Sequence, residues 1–136
     1  GSESVPIGSY TRETLSKLPP DEEKAILANV RSNEPDVKGI VGKLTQGAVD
    51  AGLTYVTDVK ATKGELRAIV LPASLQPIVA YGVAVVKGDP HPAQARAFIA
   101  GLLSGSGRRD LTNAGFLPPP TRKGLEQTRI DKAFLL

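Results

Sequence analysis

Cysteine is absent from this 136-residue chain, and a single histidine is present. The lack of cysteine excludes disulfides, zinc–thiolate sites and thiol catalysis, and it fits an oxidising or a reducing compartment equally well. His91 stands between two prolines, where we expect an exposed residue at the start of a helix instead of a general base. No Gly-x-Ser-x-Gly elbow and no phosphate-binding glycine loop occur. The sequence therefore predicts a protein that is not an enzyme, with no catalytic residue.

Tryptophan is also absent, and aromatic residues are limited to three tyrosines and three phenylalanines. The net charge of +3 comes from seventeen basic residues interleaved with fourteen acidic ones. Nucleic-acid binding needs a clustered basic surface and, for single strands, aromatic rings on which bases stack. This composition predicts no nucleic-acid partner.

Long apolar runs are missing as well, since none approaches the ~20 residues of a membrane-spanning helix. The first four residues, Gly1 to Ser4, lack the basic and apolar stretches of a signal peptide and resemble a cloning remnant.

The carboxylates are isolated and lack calcium-loop spacing, so neither a metal site nor a cofactor is predicted. Apolar residues at 40% and charged residues at 23% are typical of a globular protein.

Helical and strand-like patterns alternate along the chain. Helices are predicted after the capping residues Thr11, Asp21 and Asp36, after the turn at 87–90, and at 108–114. Apolar runs at 51–55, 66–71 and 78–86, and a brief one at 30–32, predict strands. Such alternation is typical of an α/β architecture with a three-layer, largely parallel sheet.

Two short loops lead into predicted helix starts, at Pro6-Ile7-Gly8 and at Glu34-Pro35-Asp36. Unpaired amides and the positive end of the helix dipole can hold an oxyanion there without a cationic side chain. On its own, this feature indicates a class of ligand, the oxyanions, and not a particular one.

Several motifs then occur in order: 5–10 (Val-Pro-Ile-Gly-Ser-Tyr), 36–38 (Asp-Val-Lys), 47–58 (Gly-Ala-Val-Asp-Ala-Gly-Leu-Thr-Tyr-Val-Thr-Asp), 77–86 (Pro-Ile-Val-Ala-Tyr-Gly-Val-Ala-Val-Val) and 114–118 (Ala-Gly-Phe-Leu-Pro). Together they resemble the second half of the molybdate/tungstate-binding proteins of ABC importers, which are periplasmic-type solute-binding proteins. The similarity covers residues 5 to 120.

The resemblance implies one lobe of a two-lobe α/β fold. Residues 5–78 would form the second substrate-binding lobe, and 79–120 the strand and helices that return to the first lobe. The family's N-terminal part, which carries serine ligands, has no counterpart here. The tail at 121–136 resembles nothing in the family and is a candidate terminal helix.

The resemblance also implies the binding site and the partners. The backbone amides of Ile7 and Val37 and the hydroxyl of Tyr55 would face the oxyanion. The parent protein would be periplasmic or extracytoplasmic and membrane-associated, and it would deliver its ligand to the membrane subunits of the importer. A missing lobe, a second copy or another chain would cover the apolar face left open on this chain.

Two alternatives stay open at the sequence level. The ligand could be sulfate or another tetrahedral anion, because backbone amides alone do not select the central atom. The chain could also be an isolated lobe that serves as a structural or interaction scaffold without a working site.

Overall fold

A computed structural model of the chain describes residues 1–118, which form two compact units. The first unit runs from Gly1 to Ile78, and the second begins at Val79. Within the described residues there are six helices: α1 (Pro6–Leu15), α2 (Pro20–Ala28), α3 (Val37–Thr45) and α4 (Val56–Ala61) in the first unit, and α5 (Pro92–Leu103) and α6 (Gly105–Ala114) in the second.

Prolines, and not the predicted polar caps, begin the first two helices. Helix α1 starts at Pro6, and α2 starts at Pro20. Proline is favoured at the first helical position because its fixed φ suits the helix. Its lack of an N–H costs nothing there, since an N–H at that position would have no acceptor within the helix. The predicted starts after Thr11 and Asp21 were therefore wrong: Thr11 lies inside α1, where its hydroxyl donates to the Ile7 carbonyl at 2.7 Å.

In helix α3, the predicted cap and the predicted apolar face are both confirmed. The Asp36 carboxylate accepts a hydrogen bond from the Gly39 amide at 2.9 Å. Ile40 is buried, and the Ile40 and Leu44 side chains lie 3.1 and 3.3 Å from the position that a β-carbon would take on Gly52. The apolar face of α3 thus packs against segment 51–55, and the core of the first unit is completed by Ile7, Thr14 and Leu15 of α1.

The predicted sheet is not formed among residues 1–118. The apolar runs at 30–32, 51–55, 66–71 and 78–86 are irregular, and side chains such as Ile69 and Ile78 are about four-fifths exposed, at 80% and 77%. A strand needs a second strand beside it to pair its backbone groups, and a parallel sheet needs covering layers on both faces. Neither condition is met around these runs within the described residues.

In its described residues, 79–118, the second unit contains two helices. The prediction of α5 is confirmed, whereas α6 begins at Gly105, three residues before its predicted start. The two helices pack closely, since a β-carbon on Gly107 would lie 3.0 Å from the Leu102 Cα and against the Gly101 carbonyl. Gly115 ends α6 in the left-handed conformation, at φ 109°. The predicted tail helix at 121–136 lies outside the described residues.

Candidate functional site

Ile7 lies in the first turn of α1 as the second residue of the helix. Because Pro6 has no backbone N–H, Ile7 is the first residue of this helix that carries one. The amides of Gly8 and Ser9 donate to the Val5 carbonyl at 3.0 and 3.1 Å. The Ile7 side chain is buried, which fixes its backbone on the core of the first unit.

Because Gly8 has no side chain, the residues before α1 can fold across the first turn of this helix. A β-carbon on Gly8 would lie directly on the carbonyl group of Ser2. Ser2 itself donates its amide to the Glu34 carbonyl at 2.8 Å. The first residues of the chain are therefore packed between α1 and the segment that precedes α3.

Val37 is the first residue of α3 and is half-buried. Two carboxylates lie close to this helix start. Asp36 caps the Gly39 amide, and the Glu34 side chain passes 3.1 Å, at its Cβ, from the position of a β-carbon on Gly39. Glu34 is also 3.5 Å from the Lys43 ammonium, and it hydrogen-bonds the Ser32 hydroxyl. The Asp36 carboxylate therefore already occupies the Gly39 amide, one of the amides at the start of α3.

Tyr55 is the residue immediately before α4. Its backbone amide donates to the Asp58 carboxylate at 3.1 Å, and the Thr54 hydroxyl donates to the same Asp58 oxygen at 2.8 Å. Its ring meets the ring of Tyr10 edge to face, with centroids 6.5 Å apart and planes at 73°. This geometry is favourable for two aromatic rings.

An open groove of about 370 Å³ lies between α3 and α4. Its lining contains Val37 and Lys38 from the start of α3 and Asp58 from the first turn of α4, together with Val41, Gly42, Ala61 and Thr62. The groove links the start of α3 with the turn that holds Tyr55. The Tyr10–Tyr55 ring contact links that turn with α1, three residues after Ile7.

The structure thus places Ile7, Val37 and Tyr55 at the starts of three helices of one unit. Val37 lines the groove, whereas Ile7 and Tyr55 are not part of its lining, and Tyr55 is linked to α1 through the ring of Tyr10. Sequence reasoning singled out neither Tyr10 nor Asp58 as part of the site. A signal was present for Asp58, because an acidic residue three positions after a helix-preceding residue is typical of a capping box. Tyr10 is the last residue of the motif at 5–10, but the sequence could not show which ring it contacts.

Other chemistry is sparse in the described part of the chain. His91 is exposed immediately before α5, as predicted, and its amide donates to Asp89 at 2.8 Å. No group of three or more histidine, cysteine, aspartate or glutamate side chains that could hold a metal ion occurs within residues 1–118. Among the same residues, no helix combines the length and the apolar character needed to cross a bilayer.

The family model for bacterial extracellular solute-binding proteins matches residues 2–117. The molybdate-binding protein ModA of Mycobacterium tuberculosis strain H37Rv is 34% identical over 116 residues, which is 85% of this chain and 42% of that protein. ModA of Mycobacterium bovis gives the same values. A putative ABC transporter substrate-binding lipoprotein of Bacillus subtilis, YvgL, is 30% identical over 84% of this chain and 43% of its own length.

No solved structure matches the chain significantly. The chain spans less than half the length of the curated relatives that it matches, at 42% and 43%. The family match nevertheless covers nearly all of the described residues, including all six described helices. The chain therefore belongs to the family of bacterial extracellular solute-binding proteins.

Proposed function

We propose that this chain supplies part of the oxyanion site of a molybdate- or tungstate-binding component of an ABC importer. The donors are the backbone amides of Ile7 and Val37 and the hydroxyl of Tyr55. The observation that carries the proposal is their placement at the starts of α1, α3 and α4 in a chain that is 34% identical to proteins named for molybdate binding.

The chemistry of these donors suits a fully deprotonated tetrahedral dianion. Backbone amides and a phenol donate hydrogen bonds, and neither brings a formal positive charge. A desolvated dianion is costly unless donors replace its hydration, and bonds to a charged acceptor are the strong ones. The exposed Lys38, which lines the groove together with Asp58, carries a positive charge.

The role of the protein follows from binding and not from catalysis. It would capture the anion outside the cytoplasm, in association with the membrane, and present it to the membrane subunits of the importer. The names of the mycobacterial and Bacillus relatives support the ligand and the transporter, respectively.

The 136-residue chain should bind molybdate weakly when tested alone. It spans 42% of the mycobacterial relative, and we expect the remaining part of such a protein to supply further donors. Each missing charge-assisted hydrogen bond is worth roughly 1.5–3 kcal/mol, so two missing bonds lower affinity by about a hundred- to ten-thousandfold. Fusion to the uncovered part of the relative should restore affinity.

Calorimetry on this fused protein tests the site. Tyr55→Phe removes one donor and keeps the ring, so affinity for molybdate should fall by about ten- to hundredfold. Tyr81→Phe is the matched control, because Tyr81 lies in the second unit against Phe116 and should leave affinity unchanged. Equal affinities of the Tyr55→Phe and wild-type proteins would show that the site has been misplaced.

Competition decides between ligands. Titrations with molybdate, tungstate and sulfate in the same buffer rank the anions directly. Preference for sulfate would reassign the ligand while retaining the donors. Absence of binding by both the fused protein and the chain would favour the alternative of a scaffold without a working site.

A further inference from the structure

The first turn of α4 contains a carboxylate that is bonded to the residue before it. Oδ2 of Asp58 accepts from the Tyr55 amide at 3.1 Å and from the Thr54 hydroxyl at 2.8 Å. We propose that Asp58 is a positioning residue, which holds Tyr55 in the orientation that its phenol needs to meet an oxyanion. The inference rests on the proposed function of Tyr55 as a donor.

Two of the contacts of Tyr55 restrain its position. Asp58 fixes the backbone at the junction between the irregular segment 51–55 and α4, where Tyr55 has φ −83° and ψ 151°. Tyr10 meets the ring edge to face at 6.5 Å. A tyrosine side chain has only two main torsions, so a fixed backbone and a packed ring together define where its hydroxyl points.

Because Asp58 is charged, the direction in which anion affinity changes in Asp58 variants tests the proposal. A carboxylate near an anion site opposes binding through space, because like charges repel. Asparagine keeps an acceptor oxygen for the Tyr55 amide and removes the charge, whereas alanine removes both. If Asp58 acts by positioning, alanine weakens binding and asparagine does not. If it acts only by charge, both substitutions strengthen binding.

The measurement uses the 136-residue chain with 13C-labelled tyrosine and tungstate as the probe. The contact between the Tyr10 and Tyr55 rings is followed by nuclear Overhauser effects, and tungstate binding is followed by the Tyr55 ring shifts. Asp58→Ala should weaken the inter-ring signal and raise the tungstate dissociation constant about tenfold, the equivalent of one hydrogen bond of average strength. Asp58→Asn should restore both.

Two further variants keep the result interpretable. Asp50→Ala removes an exposed carboxylate after α3 and should change neither readout. Thr54→Val removes one donor to Asp58 without changing charge, and it should weaken the inter-ring signal if Asp58→Ala proves too unstable to study.

The outcomes separate this inference from the proposed function. An unchanged inter-ring signal in both Asp58→Ala and Thr54→Val, or tighter tungstate binding by Asp58→Ala, overturns the positioning role. A wild-type chain whose Tyr55 shifts do not respond to tungstate, together with a fused protein that does not bind it, overturns the proposed function. In that case the inter-ring signal still decides whether Asp58 holds the ring.

Discussion

Among the described glycines, Gly8 has the least room for a side chain. Its missing side chain lets the Ser2 carbonyl cross the first turn of α1. Gly8→Ala must displace this backbone, and we expect a loss of roughly 1–3 kcal/mol in the free energy of unfolding. Urea denaturation followed by circular dichroism measures it.

A glycine in open space provides the control for this variant. Gly42 lies within α3, and the nearest atom to a β-carbon there is 4.0 Å away, at the end of the Gln46 side chain. Gly42→Ala should therefore stabilise the protein by about 0.5–1 kcal/mol through helix propensity. Equal stability changes in Gly8→Ala and Gly42→Ala would contradict the packing of the N-terminal residues.

The α-amino group of Gly1 gives the stability a pH dependence. Burial lowers the pKa of this group below its ordinary value of 8.0, Glu34 opposes the shift, and Arg12 adds to it. The unfolded chain then binds more protons than the folded one just below pH 8.0. The contribution to stability is thus fully present above pH 8.0 and lost as the pH falls through the lowered pKa.

Acetylation of the amine tests this effect, since it removes the titrating group. The urea midpoint of the unmodified chain should rise slightly as the pH is raised towards 8.0, and the acetylated chain should lack that rise. The same slope in both forms would assign the pH dependence to other groups.

Of the three capping residues predicted at helix starts, Asp36 was confirmed, and Thr11 and Asp21 were wrong. Asp36 and Gly115 have the roles that their residue types favour at helix ends, because those roles depend on local backbone geometry alone. The need for glycine at position 8 could not be predicted, since it depends on where Ser2 folds. Contacts such as Tyr10 with Tyr55, 45 positions apart in the sequence, likewise depend on tertiary structure.

At the scale of elements, α3 connects the core with the candidate site. Its Ile40 is buried, and its first residue lines the groove. Asp36→Ala removes the cap on the Gly39 amide and should cost about 1 kcal/mol of stability. Asp36→Asn keeps an acceptor and should lose much less. The two variants are compared by thermal and urea denaturation; a full loss in both would show that the charge, and not the cap, matters.

Helices were more predictable than strands for a physical reason. The apolar spacing in α3 and α5 is a property of a single segment, so it can be seen in the sequence. A strand depends on neighbours that may be distant in the chain, and the runs at 51–55, 66–71 and 78–86 have none beside them within the described residues. The short α4 was missed because six residues give too little periodicity.

At the scale of the whole molecule, the second unit exposes large apolar side chains. Phe98 of α5 is 66% exposed, and Val86 is 75% exposed. Apolar surface of this kind tends to be covered by a partner. We therefore expect the chain to self-associate as its concentration rises, with Phe98 in the contact.

Sedimentation velocity over a concentration series tests this expectation. Phe98→Asp should weaken association by about tenfold or more, because burial of one large apolar side chain is worth roughly 1.5–3 kcal/mol. Gln94→Asp adds the same charge to an exposed polar position of the same helix and should have little effect. A strictly monomeric wild-type chain at every concentration would exclude a second copy as the partner.

The candidate site residues were named from the sequence, but the contacts around them were not predicted. Ile7, Val37 and Tyr55 came from a family resemblance, and their roles as donors stay predictions. The structure adds the Tyr10–Tyr55 ring contact, which links α1 with the residue before α4, and the bond of the Tyr55 amide to the Asp58 carboxylate. The ring contact depends on tertiary packing, which no spacing in the sequence encodes, whereas the Asp58 bond is local.

The pairing of Tyr10 with Tyr55 has an optical consequence. The chain has three tyrosines and no tryptophan, so tyrosine dominates its absorption and emission in the near ultraviolet. Two of the three chromophores form the ring pair in the first unit, and the third, Tyr81, lies in the second. A Tyr81→Phe chain would therefore report only from the pair, and its near-ultraviolet circular dichroism would follow the candidate site without any added dye.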